Sequence, residues 1–164
     1  MVRTTSLKNY SDVHFTDRAV AARLVEHFRP AGLCLEPFRG GGAFHDHMPK
    51  GSLWCEIAED KDFFAFDQRV DWIVTNPPFS NLTDVFAHSF EISANCVFLI
   101  PISKYFSSGP RMRLAQEYGG LKEILLVGSG RDIGFDIGFP FGALHFQQGY
   151  VGPTMISGGK NRPC

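Results

Sequence analysis

Trp72-Ile73-Val74-Thr75-Asn76-Pro77-Pro78-Phe79 is an apolar run that halts on two prolines. The first four residues have the branched and aromatic character of a buried strand. The prolines fix φ and carry no N–H, so they can neither extend a ladder nor open a helix in the ordinary way. The strand therefore gives way to a rigid backbone corner with outward carbonyls, an amide side chain at Asn76 and an aromatic face at Phe79. Such a corner suits a planar ring with an exocyclic amine. The Asn76 amide oxygen and the Pro77 carbonyl can accept the two amine hydrogens, and Phe79 can stack on the ring.

On either side of the corner, strand and helix patterns alternate. Upstream, Val20, Leu24, Val25 and Phe28 mark a helix over about 17–29, with Thr16 as its expected N-cap and Pro30-Ala31-Gly32 as its stop. A short strand, 33–36, ends on Glu36 and runs into Pro37-Phe38-Arg39-Gly40-Gly41-Gly42, with a helix start expected at Ala43-Phe44. A second strand is expected from Ser52 to Ile57 and a third from Asp71 to Thr75. Downstream come a helix over about 82–92, an apolar strand from Cys96 to Ile100, and a helix over about 110–118 with Pro110 at N1. Gly119-Gly120 would stop that helix before a strand from Leu121 to Val127, and Phe139 to Tyr150 looks like its hairpin partner. This alternation predicts an α/β fold, a Rossmann-like, mostly parallel sheet with helices on both faces and an antiparallel hairpin at one edge. Residues 1–156 are expected to form a single domain with no separate recognition domain, and 157–164 a flexible tail.

Composition narrows the function classes. A chain of 164 residues with 44 % apolar and 20 % charged residues suits one globular domain. Its formal charge of −1 gives no global positive field, so affinity for nucleic acid must come from local contacts. No apolar stretch approaches the roughly twenty residues of a membrane span, and Met1 to Ser6 lacks a signal-peptide core. A cytoplasmic location is expected. The cysteines at 34, 55, 96 and 164 form no C-x-x-C pair, and the first three read as small buried hydrophobes. His45-Asp46-His47 reads as a solvated loop, because residues two apart do not share a helix face. No metal is expected.

In a sheet of this kind, ligands bind beyond the carboxyl ends of the strands. The unusual residues collect there: Glu36 and the glycines, Glu56, and Asn76. The glycine turn is wrong for a dinucleotide, since the G-x-G-x-x-G count from Gly40 puts His45 at the last glycine, and no Gly-Lys-Ser/Thr completes a phosphate loop. It suits a ligand with an amino-acid end and a ribose.

The run from Leu35 to Phe44, followed by Asn76-Pro77-Pro78-Phe79, resembles the S-adenosylmethionine-dependent amino-methyltransferases. Among these the chain is most similar to the N6-adenine DNA methyltransferases of small phage and mobile-element type, with motifs covering about residues 14–101. His14-Phe15-Thr16 resembles the family's N-terminal cofactor motif, with Asp17 where a proline is usual. The resemblance implies S-adenosylmethionine as cofactor and S-adenosylhomocysteine as product. Phe15 and Thr16 would lie along the methionine end. Glu36, Pro37 and the backbone of Gly40 to Gly42 would hold the amino-acid portion, and Glu56 the ribose hydroxyls. Asp62 would take a hydrogen bond from the cofactor adenine, with the Phe63 ring on its face. Asn76, Pro77, Pro78 and Phe79 would be the catalytic set, acting on a base flipped out of DNA.

One departure concerns the second crossover. Five residues, Ile57 to Lys61, separate Glu56 from Asp62, whereas a crossover helix and its return need at least about ten to twelve. The outer strand is therefore expected to be missing, and Glu56, Glu59 and Asp60 all stay open as the ribose ligand. The partner is expected to be nucleic acid, DNA before RNA, with either a short, relaxed target or help in readout from a homodimer or an accessory specificity subunit. Lys104, Arg111, Arg113 and Arg131 are candidates for a phosphate-contacting rim. The alternatives are adenine-N6 or guanine-N2 transfer in RNA, transfer to a protein amide, and a non-catalytic partner subunit that keeps the fold.

Overall fold

The computed structural model describes residues 14–158. Seven strands, β1 (Cys34–Glu36), β2 (Leu53–Trp54), β3 (Val70–Thr75), β4 (Ser93–Pro101), β5 (Gly119–Ser129), β6 (Pro140–Gln148) and β7 (Met155–Gly158), form one sheet in the order β2-β1-β3-β4-β6-β5-β7. The pairs β2–β1, β1–β3, β3–β4 and β5–β7 are parallel. β6 runs antiparallel between β4 and β5. The predicted mostly parallel sheet with an antiparallel pair toward one edge is the observed one.

Helix α1 (Arg18–Phe28) covers one face; α2 (Leu82–Ile92), α3 (Ile102–Phe106) and α4 (Gly109–Tyr118) cover the other. The period-2 alternation of strands produces both cores. On β4, Cys96, Phe98 and Ile100 pack with Leu82, Val85 and Phe86 of α2, while Val97 and Leu99 pack with Leu24 and Val25 of α1. Because both faces of β4 are covered, Cys96 to Pro101 is buried without a break. The Phe86 and Phe98 rings stack with centroids 4.6 Å apart, at the centre of the α2 core.

Several boundaries differ from the sequence reading. The N-cap of α1 is Asp17, whose carboxylate accepts from the Ala19 and Val20 amides; the Thr16 hydroxyl is engaged elsewhere. No α-helix starts at Ala43-Phe44; a single 3-10 turn, His45–His47, fits before Pro49 and Gly51 turn the chain into β2. β2 keeps only Leu53 and Trp54 of the expected strand, because Glu56 caps a 3-10 turn at Ile57–Glu59. Gly119 and Gly120 end α4 but already belong to β5, and α3 was not expected. Ser157 and Gly158, assigned to a tail, lie in β7 beside Leu125 and Leu126, while the rest of that tail lies outside the described residues.

The second crossover is reduced as expected. From β2 the chain passes through two 3-10 turns, Ile57–Glu59 and Phe63–Ala65, straight into β3, which leaves β2 as the edge. Among the described residues no helix is long and apolar enough to cross a membrane.

Candidate active site

Strand order reverses between β1 and β3, since β1 leads outward to β2 while β3 leads the other way to β4. In open sheets of this kind, ligands bind in a crevice outside the carboxyl ends of such strands. Glu36 and Thr75 sit at those ends and are joined: the Thr75 hydroxyl donates to Glu36 Oε1, which also accepts from the Phe38 amide at 3.1 Å. Glu36 is 1 % exposed, and burial pushes its carboxyl up to about 8 against those two donors. Near neutrality this carboxyl is therefore mostly protonated, and a cationic group brought to it would favour its ionised form.

The glycine turn is built around this acid. Gly40 and Gly42 have φ of +50° and +82°, the left-handed region that a side chain rarely adopts. A Cβ at Gly40 would come within 3.2 Å of the Phe15 ring, which lies over the turn and is 65 % exposed. The Gly40 amide donates to Glu56 Oε2 at 2.7 Å, and the Gly42 amide closes the turn on the Arg39 carbonyl at 2.8 Å. Pro37 is buried behind it. Arg18 fastens the turn's exit to the start of α1 through Asp46 at 2.6 Å.

The proline corner comes directly after β3. Pro77 is buried, and Pro78 caps a 3-10 turn at Phe79–Asn81. The Asn76 amide nitrogen donates to the His14 carbonyl at 2.8 Å and to Thr16 Oγ1 at 3.1 Å. Its amide oxygen is buried and has no partner among the described residues. A buried acceptor left open at the end of a strand is costly in itself and leaves a place for a hydrogen-bond donor.

Glu56, Glu59 and Asp60 separate clearly. Both oxygens of Glu56 face backbone amides, Gly40 and Ala58, so its carboxylate is fixed beside the glycine turn with acceptor capacity to spare. Glu59 is turned to Arg39 at 3.1 Å and is half-exposed, and Asp60 is an exposed left-handed residue. Asp62 accepts from the Phe64 amide, capping the next turn. The Phe63 ring, expected to lie on the adenine, is a correction. It is 2 % exposed and edge-on to Phe38 and His88, because it plugs the end of the α2 core. The exposed apolar groups flanking Glu56 and Asp62 are Ile57 and Phe64.

The sequence motifs that include His14 and Thr75 assign no role of their own to either residue. His14 stacks on Phe79 with centroids 5.7 Å apart and 22° between planes. Thr75 carries a readable signal, a lone hydroxyl closing an apolar strand. Arg111, one of the rim candidates, donates to the Lys104 carbonyl at 2.7 Å and to Thr83 at 3.2 Å, which ties its guanidinium to α2 and α3. Cys34, Cys55 and Cys96 are buried free thiols. Cys164 lies outside the described residues, among which no group of His, Cys, Asp or Glu has the arrangement of a metal site.

No protein-family model matches the sequence, and no curated relative does either. Solved structures do. The candidate RNA methyltransferase PH1948 from Pyrococcus horikoshii superposes with a TM-score of 0.59 at 15 % identity, covering 80 % of this chain and 81 % of that one. The modification subunit of a candidate type I restriction enzyme from Vibrio vulnificus YJ016 gives 0.61 at 17 % identity, covering 94 % of this chain and 49 % of the subunit. A candidate class I S-adenosylmethionine-dependent methyltransferase from Listeria monocytogenes gives 0.63 at 11 % identity, covering 85 % and 62 %. The chain thus spans about half of the Vibrio subunit. Its fold is the Rossmann-like sheet of S-adenosylmethionine-dependent methyltransferases.

Proposed function

We propose that the protein transfers a methyl group from S-adenosylmethionine to an exocyclic aromatic amine, the N6 of adenine in DNA. The observation that carries this reading is the open, buried Asn76 oxygen directly after β3, with Phe79 beside it and the glycine turn at the neighbouring strand end.

The residues fit the cofactor. Glu36 would take its ammonium, the turn from Pro37 to Gly42 would pass close to its amino-acid portion, and Glu56 would accept from the ribose hydroxyls. Asp62 would accept from its adenine amine, between the apolar groups of Ile57 and Phe64, and Phe15 would close over the methionine end. When bound, the cofactor supplies an electrophilic methyl on a sulfonium. The chain's own residues do the rest. An aromatic amine is a poor nucleophile because its lone pair is delocalised into the ring. Asn76 Oδ1 and the Pro77 carbonyl would accept its two hydrogens and offset the charge that develops on nitrogen. Phe79 would hold the ring in line, where orientation itself lowers the barrier. A duplex base would have to leave the stack to reach this corner.

The RNA reading uses the same corner, which recognises a planar amine and not a named polymer. The Glu36-Pro37 pair and the early Phe15-Thr16 favour DNA by resemblance. A non-catalytic partner subunit leaves the open Asn76 oxygen without a purpose.

The test is calorimetric titration with S-adenosylmethionine and S-adenosylhomocysteine, followed by nucleoside analysis of treated DNA and RNA. Binding should survive Asn76→Ala and be lost in Gly42→Asp, whose side chain would meet Asp46 at a left-handed backbone position. N6-methyladenine should form in DNA, and Asn76→Ala should lower its rate by about a hundredfold or more. Failure of the unaltered protein to bind either compound would count against the whole reading; product in RNA alone would move the substrate.

A further inference from the structure

The Asn76 amide has two ends, and only one can serve an incoming amine. Which end faces the crevice is decided by what holds the other. The His14 carbonyl can only accept, so the Asn76 atom 2.8 Å from it must be the NH2 group. Thr16 Oγ1 takes the second hydrogen of that NH2 at 3.1 Å. Both donor hydrogens are thereby used, and the oxygen is turned away, buried and open.

We infer that Thr16, with the His14 carbonyl, is a positioning residue that locks the Asn76 amide with its oxygen toward the substrate amine. This rests on the proposed role of Asn76 and departs from the cofactor contact that resemblance assigns to Thr16. The departure has a structural cause. With Asp17 capping α1, the Thr16 hydroxyl is released from the helix terminus and reaches across to β3. An amide free to flip would present NH2 to an amine half the time, donor against donor.

Thr16→Val keeps the shape and removes the acceptor, whereas Thr16→Ser keeps the acceptor. The full chain labelled with 15N at asparagine gives a side-chain NH2 pair for Asn76, assigned by its loss in Asn76→Asp. In the unaltered protein and in Thr16→Ser this pair should exchange slowly with solvent. In Thr16→Val it should shift and exchange faster, with kcat falling about tenfold, the worth of one hydrogen bond. S-adenosylhomocysteine affinity should stay within about twofold across the three proteins, the scatter of a change without a lost contact. An Asn76 pair that is identical in Thr16→Val, or an affinity loss for S-adenosylhomocysteine larger than the kcat loss, overturns the inference. If the pair responds but the unaltered protein methylates neither DNA nor RNA, the inference is supported and the proposed reaction is overturned.

Discussion

The imidazole of His14 lies on the face of Phe79, centroids 5.7 Å apart, the face that the proposed reaction would give to a target base. The neighbouring ring Phe141 is 1 % exposed and tilted at 60°, so it is a fixed wall and offers no way in. A base that stacks on Phe79 therefore displaces the His14 ring, while the His14 carbonyl can stay on Asn76. His14→Ala should lower KM for the nucleic acid about threefold to tenfold, the worth of one aromatic pair, with kcat unchanged. A raised KM in steady-state assays would instead make the imidazole part of the base platform.

Glu36 should govern cofactor affinity. Burial raises its carboxyl to about 8, so near neutrality it must shed a proton to receive an ammonium. Affinity for S-adenosylhomocysteine should climb from pH 6 toward 8, at most about tenfold per unit, and turn over at higher pH as the ligand's amine loses its charge. Glu36→Gln should bind more weakly and lose the rising limb. Calorimetry across that range decides it; a rising limb kept in Glu36→Gln assigns the proton to another group.

The same proton acts on stability, against a second buried group. Between about 4.5 and 8 the folded chain holds a proton on Glu36 that the unfolded chain has shed, so stability is full below 4.5 and falls as pH rises. His145, 5 % exposed, 3.0 Å from Asn95 and stacked on Trp72, is lowered by burial from 6.5 to about 4. There the unfolded chain holds the extra proton, so stability is full above 6.5 and falls toward 4. The two oppose each other between 4.5 and 6.5. Above 6.5 only Glu36 remains, and stability should decline toward pH 8 by at most about 1.4 kcal/mol per unit. Chemical denaturation of Glu36→Gln at pH 6.5 and 8 should show no such decline; an unchanged slope would refute the assignment.

What could be read from the sequence was what a local pattern dictates. Pro77 and Pro78 end a strand whatever surrounds them, and α2 matches its expected 82–92 because Leu82, Val85, Phe86 and Phe90 repeat at helical spacing. Elements decided by neighbours were hidden. β7 is an edge strand of exposed residues after Gly152 and Pro153, held by backbone pairing to β5 alone, and its composition resembles a tail. α3 is five residues long, too short for a periodic stripe. At the site, residue types were legible and their partners were not: Thr16 and Asp17 compete to cap α1, and only the fold shows that Asn76 takes Thr16. Phe63 and Phe64 are indistinguishable in sequence, yet one fills the core and the other is exposed.

The acids left open by the sequence can be told apart by their backbone contacts. Glu56 joins two loops through Gly40 and Ala58, so it fixes the turn as well as offering acceptors to a diol. Glu56→Ala removes both functions, and S-adenosylhomocysteine affinity should fall more than about tenfold, the worth of a charge-assisted hydrogen bond. Glu59 pairs with Arg39 at a half-exposed site, which is worth about 0–1 kcal/mol. Asp60 is exposed at φ +57°, where Asp60→Asn keeps the backbone preference and removes the charge. Glu59→Ala and Asp60→Asn should therefore bind within about threefold of the unaltered protein, by the same surface-pair magnitude. Titrating the homocysteine product against its 2′-deoxyribose analogue completes the test. The unaltered protein should prefer the diol and Glu56→Ala should lose that preference. A preference lost in Glu59→Ala or Asp60→Asn instead would move the ribose to the outer loop and leave Glu56 with the turn alone.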